Sequence, residues 1–168
     1  LYQNKLKNIP VELGGLTALK HLSLDQNELE ALPFSFGKLI ALERLLLYYN
    51  QLKWLPPELG QLTALTELNL HENKLTEIPP ELGQLMALRA LFLHKNELVS
   101  IPKELGNLKA LEKLSLSHNR LTQIPEEFGR LESLQYIWLH KNLLTNIPAT
   151  LGDLKGIRLF RCEQDTLR

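Results

Sequence analysis

The sequence predicts an α/β solenoid, and three features of one repeated pattern carry that prediction. Asparagine recurs every 23 residues without an insertion, and proline and glycine recur in the same phase. Leucine, isoleucine or phenylalanine fills the positions between them, so the repeated unit reads LxxLxLxxNxLxx(L/I)Pxx(L/F)GxLxx. Self-similarity at a fixed period of this length is typical of near-identical structural units that stack on one another.

The asparagine positions indicate how many units the chain holds. We expect a single domain over residues 1–168, with about seven repeats and a degenerate last repeat at 157–168. In that last repeat Phe160 takes a leucine phase and Asp165 takes the asparagine phase. The asparagines that set the phase are Asn4, Asn27, Asn50, Asn73, Asn96, Asn119 and Asn142.

The LxLxxN portion of each unit predicts a short strand. Side chains alternate between the two faces of a strand, so Leu91 and Leu93 point inward while Ala90, Phe92 and His94 point outward. Units that run in one direction stack their strands in parallel, about 4.7–4.9 Å apart. The asparagine follows at the turn, where its amide can satisfy freed backbone N–H and C=O groups. We therefore expect an asparagine ladder along the solenoid.

The proline of each unit predicts the start of the return path. Its fixed backbone angle suits the first residue of a helical turn, where the missing N–H is no loss. Glu81 and Glu127 place negative charge near the positive end of such a turn. Only about six to eight residues remain before the next strand, so we expect short 3₁₀ or α turns. We also expect the glycine to end each turn with a positive φ.

The complete unit resembles the leucine-rich repeats in their 23-residue form. Its LPxxLGxLxxL half is similar to that of the Ras-group intracellular proteins and of bacterial proteins that consist only of such repeats. The resemblance covers about residues 1–160 and implies a curved horseshoe, with a parallel sheet on the concave side and short turns on the convex side. It also implies that a protein partner binds on the concave side.

Charge and motifs argue against several classes of function. Nineteen basic residues balance nineteen acidic ones, and because nucleic acid and acidic membranes select for basic excess, neither is an expected partner. No apolar stretch approaches the roughly 18 residues of a membrane span. No nucleophile elbow, phosphate loop or dinucleotide fingerprint occurs, and an open strand face lacks the enclosed pocket that catalysis needs. We expect no enzyme activity and no cofactor.

The outward strand positions vary from unit to unit, and aromatic residues collect on them. Packing does not dictate these positions, so function can be encoded there, and clustered exposed aromatic residues indicate a binding patch. Trp54 lies outside the strand, before Pro56, and is interpreted as local packing. The predicted partner-binding residues are Leu46, Tyr48, Tyr49, His71, Phe92, His94, Tyr136, Trp138 and His140.

Two histidines raise a metal hypothesis, because His71 and His94 are neighbours in one outward row. Zinc needs three or four ligands, and only Glu67 or Glu72 is near them, while His140 is two repeats farther away. We therefore interpret the pair as side chains of a binding surface and expect no metal. Histidines on such a surface predict partner binding that depends on pH near about 6–7.

The leading hypothesis is a monomeric protein–protein interaction module. The alternatives are a targeting arm of a larger enzyme, such as a kinase, GTPase or ubiquitin ligase, and a bacterial secreted or surface adhesin. The single cysteine, Cys162, cannot form an internal disulfide, which favours the cytoplasm or a bacterial origin. The first strand is truncated at Leu1 and the last unit drifts, so we expect a fragment of a longer chain or weakly covered ends.

Overall fold

A computed structural model describes residues 1–162, which form one open parallel sheet of seven short strands. The strands pair in chain order, and each register joins residues 23 apart, as in His21↔Arg44. The parallel sheet predicted from the repeat is therefore confirmed. The strands are β1 (His21–Ser23), β2 (Arg44–Leu46), β3 (Glu67–Asn69), β4 (Ala90–Phe92), β5 (Lys113–Ser115), β6 (Tyr136–Trp138) and β7 (Leu159–Arg161).

In the described part of the chain, seven 3₁₀ helices form the opposite, convex side, and a proline directly precedes each one. Their five-residue length fits the short return path, so the predicted short turns are confirmed and all of them are 3₁₀. Two helices also begin with a second proline, Pro57 or Pro80, where a missing N–H costs nothing. The helices are η1 (Val11–Gly15), η2 (Phe34–Lys38), η3 (Pro57–Gln61), η4 (Pro80–Gln84), η5 (Lys103–Asn107), η6 (Glu126–Arg130) and η7 (Ala149–Asp153).

The repeated leucines form one continuous core between the sheet and the 3₁₀ helices. In β4 and the residue after it, Leu91 and Leu93 are fully buried, whereas Phe92 between them is only partly buried on the opposite face. Burial of one such leucine is worth about 1.5–3 kcal/mol. Since each unit covers the leucines of its neighbours, stability comes from stacking.

The asparagine ladder is confirmed, and each inner asparagine joins its own unit to the preceding one. Asn73 donates from Nδ2 to the carbonyl oxygens of Leu47 (2.9 Å) and Leu70 (3.1 Å). Its Oδ1 accepts a hydrogen bond from the backbone N–H of Leu52 at 3.0 Å. Asn96 repeats the same set one unit later. One buried amide thus satisfies backbone groups that the turn would otherwise leave unpaired.

The predicted role of the repeated glycine is wrong, because no glycine has a positive φ. The physical requirement is close approach: a Cβ atom on Gly83 would lie 2.4 Å from the backbone oxygen of Glu104 in the next 3₁₀ helix. Positive φ values of 53–55° occur instead at the residue before each asparagine. At Tyr49 this backbone lets the turn donate to the His71 carbonyl oxygen at 3.1 Å, which extends the ladder past the strand.

The core opens towards the last described strand. Ile137 in β6 is completely buried, whereas Phe160 at the same position of β7 is 42% exposed. The predicted degenerate repeat at 157–168 is described as far as Cys162, and Asp165 lies outside the described residues. Within residues 1–162, no helix is long and apolar enough to cross a membrane.

Candidate binding face

The outward side chains of the sheet form four rows that run along the solenoid, and together we call them the concave face. Strand register aligns the two rows carried by the strands, and the turn before each asparagine carries the other two. Because neighbouring strands are one strand spacing apart, side chains that follow one another in a row can contact each other. In β4 to β6 and their turns the rows are Ala90, Lys113, Tyr136; Phe92, Ser115, Trp138; His94, Ser117, His140; and Lys95, His118, Lys141.

All nine predicted partner-binding residues lie on this face. Tyr49 is exposed, and the other eight are partly buried by their neighbours on the sheet rather than among the leucines. Leu46, Phe92 and Trp138 share one row at every second strand, as their register requires. The placement of the nine residues agrees with the prediction, and their binding role remains a proposal.

Three of these residues form one stack of rings in the middle of the face, and a fourth meets the stack edge-on. Tyr48 and His71 are stacked with ring centroids 4.7 Å apart, and His71 and His94 follow at 4.4 Å with planes within 8° of parallel. Tyr49 meets the edge of His71 at 5.4 Å. The two stacking distances are close to the strand spacing, so parallel register itself brings the rings into contact.

Burial in the stack favours the neutral form of both histidines. Burial is the main cause that lowers the pKa of His71, and burial together with nearby His71 and Lys95 lowers the pKa of His94 to about 4. His94 therefore loses its charge well below neutral pH, and His71 loses its charge at a lower pH than an exposed histidine. For His94 this shift moves the titration below the range of about pH 6–7 expected from the sequence, because stacking takes its ring out of water, and the pH dependence of binding remains a prediction.

The geometry of the pair favours a contact surface over a metal site. Parallel rings direct their nitrogen lone pairs side by side, whereas metal ligands must converge on one point. The Nδ1 atom of His71 lies 2.6 Å from Asn69 Oδ1, and that of His94 lies 3.1 Å from Ser115 Oγ. Within residues 1–162, no group of three histidine, cysteine or acidic side chains is placed to hold a metal ion.

A notch of about 260 Å³ lies beside the ring stack, between Phe92 and Trp138. Its floor is formed by Ser115 and Ser117, both buried, and His94 completes the lining. Sequence reasoning missed the two serines as site residues. The available signal was their size, since two small side chains alternate with large aromatic ones in the rows of this face.

The wall of the notch at Trp138 is supported from the neighbouring row. Tyr136 stacks on Trp138 with centroids 6.1 Å apart and planes within 13° of parallel, and Lys113 Nζ lies 5.9 Å from the Tyr136 ring centre. His140 meets His118 edge-on at 5.5 Å. The predicted residues Tyr136, Trp138 and His140 thus belong to a second aromatic group, two strands from His94.

Within residues 1–162 the ion pairs follow the repeat, since the seven found there join residues of adjacent units at the same phase. Two lie on the concave face: Arg44 with Glu67 at 2.9 Å, and Lys95 with Glu72. Trp54 lies away from this face, where its ring packs 5.9 Å from that of Phe34. This contact fits the local-packing interpretation of Trp54.

Comparison with known proteins identifies the repeat throughout most of the chain. The family model described as "Leucine-rich repeat region" matches residues 1–98, and the model "Leucine rich repeat" matches residues 87–144 and 109–161. No curated protein matches the chain.

Solved structures share the fold closely. A leucine-rich-repeat protein of Leptospira interrogans is 41% identical, with a TM-score of 0.91 over 94% of this chain. The plant peptide hormone receptor RGFR1, in complex with RGF2, is 33% identical with a TM-score of 0.84 over 97% of this chain. A TDR receptor is 32% identical with a TM-score of 0.81 over 92%. The chain spans only 40%, 27% and 28% of these three proteins, respectively.

Proposed function

The chain belongs to the leucine-rich-repeat family, and from that premise we propose that it is a protein-interaction module that holds its partner on the concave face. The observation that carries the proposal is the clustering of aromatic side chains on the outward face of the sheet. Within residues 1–162 the core consists of leucine and isoleucine with two aromatic side chains, Phe36 and Phe128, whereas the open face carries two aromatic groups, around His71 and around Trp138. Tyrosine and tryptophan contribute most to binding energy at protein interfaces.

The structural relatives support the same reading. The plant receptor of the same fold was solved in complex with RGF2, and this chain superimposes on part of it over nearly its whole length. The concave face is also open to solvent along its length, which suits the binding of a protein surface better than the binding of a small substrate. The residues proposed to contact the partner are Leu46, Tyr48, Tyr49, His71, Phe92, His94, Tyr136, Trp138 and His140.

A pull-down with matched variants tests the proposal. One variant replaces Tyr48, Phe92 and Trp138 of the concave face with alanine. The control replaces Phe34 and Met86 with alanine, since both are exposed apolar side chains outside the concave face. The native chain and the control should enrich the same proteins, and the concave variant should lose them. Retention of those proteins by a folded concave variant would contradict the proposal.

A further inference from the structure

We propose that the notch between Phe92 and Trp138 is an anchor pocket for one tyrosine side chain on an acidic, extended segment of the partner. This inference rests on the proposed function and names the chemistry of the partner. Three independent features of the face support it: the width of the notch, its polar floor and the distribution of charge around it.

The width of the notch fits one planar ring. Phe92 pairs with Ser115, and Ser115 pairs with Trp138, so the two aromatic residues are two strand spacings apart, about 9–10 Å. Aromatic rings pack edge-to-face or offset with centroids about 4.5–7 Å apart, so a ring midway between Phe92 and Trp138 would lie about 4.5–5 Å from each. The serine between the walls is too small to fill that gap. The notch therefore admits one aromatic ring between two others.

The floor of the notch favours tyrosine over phenylalanine. Ser115 is 6% exposed, and its Oγ lies 3.1 Å from His94 Nδ1, so hydroxyl and imidazole groups line the base. A buried phenol hydroxyl needs a hydrogen-bond partner, and serine hydroxyls both donate and accept. A tyrosine ring between the aromatic walls would direct its hydroxyl towards this base. Phenylalanine would fill the same space but would form no hydrogen bond with the polar side chains at the base.

Charge on the concave face is divided along the solenoid, although the whole chain is neutral. Residues 21–26, 44–49 and 67–72 carry three acidic side chains and one arginine, which pairs with Glu67. Residues 90–95, 113–118 and 136–141 carry Lys95, Lys113 and Lys141 and no acidic side chain, and of these three Lys95 is paired with Glu72 of the acidic half. At the rim, Glu112 is paired with Arg89 at 3.4 Å. The notch thus lies in the basic half, which attracts carboxylates on both sides of the anchor.

The same distribution disfavours nucleic acid and a second copy of this chain. A nucleic-acid backbone that followed the face beyond Lys95 would meet Glu72, Glu67 and Asp25, which repel phosphate. A second copy has tyrosines in its acidic half, but Tyr48 and Tyr49 pack against His71 on a concave sheet, and two concave faces cannot approach closely enough for these rings to enter the notch. An acidic segment with one tyrosine satisfies both the notch and its rim.

The probe is a short synthetic peptide with aspartate and glutamate on both sides of a single central tyrosine. The chain has two tryptophans, so NMR of the indole N–H signals contains its own control. The Trp138 signal should shift on titration, and the Trp54 signal should stay in place. Affinity should fall by at least about tenfold when alanine replaces the tyrosine, and by less with phenylalanine.

Filling the notch supplies the matched variant test. Ser115→Leu places a large side chain between the walls, and the fold accepts leucine at this row because β2 carries Leu46 there. The control is Ser23→Leu in the same row at β1, distant from the notch. Ser115→Leu should weaken peptide binding at least about tenfold, whereas Ser23→Leu should leave it unchanged. Trp138→Ala, which removes a wall, should have the same effect as Ser115→Leu.

Other ligands are tested in the same titration. The amide version of the peptide, with asparagine and glutamine in place of the acids, should bind several-fold more weakly. The Lys113→Gln variant should show a smaller difference in affinity between the acidic and the amide peptide. Equal affinity for the amide version overturns the proposal, and so does a Trp138 shift with an oligothymidylate at equal charge. Sedimentation of the free chain should show a monomer, and a dimer that shifts the Trp138 signal also overturns it.

Failure of this inference is distinguishable from failure of the proposed function. If the acidic tyrosine peptide leaves the Trp138 signal unchanged while the concave variant still loses its proteins in the pull-down, the anchor assignment is wrong and the binding face stands. If the concave variant keeps those proteins, the binding face itself is wrong.

Discussion

The two faces of the sheet obey different rules, although neighbouring residues of one strand supply both. Inward positions such as Leu91 and Leu114 repeat almost without change, because each must fill the same space in a stack of equal units. Outward positions such as Phe92 and Ser115 differ from strand to strand, because water or a neighbouring ring tolerates many side chains. The contrast teaches that repetition marks the side chains that hold the solenoid together, and variation marks those available for recognition.

Removal of an inward leucine should have the largest effect. Leu91→Ala leaves a cavity in a fully buried row and should lower the free energy of unfolding by about 2–5 kcal/mol. Phe92→Ala, one residue away on the other face, should cost about 1 kcal/mol or less. Urea unfolding of both variants measures the difference. Equal losses would abolish the contrast between the two faces.

Removal of one asparagine should come next. Asn73→Ala leaves the carbonyl oxygens of Leu47 and Leu70 and the N–H of Leu52 without their amide partner. Each unsatisfied buried group costs about 1–3 kcal/mol, and partial access of water limits the loss to about 2–4 kcal/mol. Asn4→Ala serves as the control in the same urea titration. Its amide bonds only to Leu1 and Tyr2 at the exposed first turn, so its loss should be small.

A pair of glycine substitutions tests the close approach of the 3₁₀ helices. Gly83→Ala places a Cβ atom 2.4 Å from the Glu104 backbone oxygen, and the required backbone shift should cost about 1–3 kcal/mol. Gly152→Ala meets no atom within 4 Å, so it should leave stability unchanged or raise it slightly. Thermal unfolding of the two variants decides the matter. A loss of the same size at both glycines would show that conformation, and not contact, selects the residue.

The smallest effect we predict at neutral pH is that of His94, which appears only as the pH is lowered. Its pKa is about 4 in the folded chain and near 6.5 when unfolded, so the unfolded state binds the extra proton between these values. Stability should therefore fall as the pH is lowered from about 6.5 to 4. His71, Glu72, Lys95 and His118 face the ring and contribute smaller shifts to its pKa.

His94→Gln should make this decline shallower, and above about pH 7 the two proteins should have parallel stability curves. Melting temperature measured across the pH range checks the prediction. A decline of unchanged slope in the glutamine variant would assign the effect to other groups.

The periodicity of the sequence made much of the fold predictable. Features that depend on close contacts between neighbouring units could not be predicted from the sequence. The 23-residue phase and the two-residue alternation suffice to place Leu91 inward and Phe92 outward, and to align Asn73 with Asn96. The reason for Gly83 was misjudged, because a local pattern typical of a helix end says nothing about a backbone oxygen one unit away.

The sequence predicted which positions form the candidate site, but not how their side chains pack against one another. Sequence phase places Tyr48, His71 and His94 in one row, yet their stacking and the resulting loss of water follow from lateral spacing and side-chain rotamers. The notch exists because the side chain of Ser115 is small, and a search for clusters of large aromatic residues does not mark that position. Net charge concealed the division of the concave face into acidic and basic halves, since the two cancel in the sum.

The two tryptophans of the chain provide the most direct test of the claim that recognition belongs to the concave face. The measurement is the affinity of the folded Trp138→Ala and Trp54→Ala variants for a protein that the native chain enriches. Trp138 should be needed for binding, with a loss of at least about tenfold, and Trp54, which packs on Phe34 outside the face, should not be. Equal affinity of the two variants, or a loss confined to Trp54→Ala, would contradict the account.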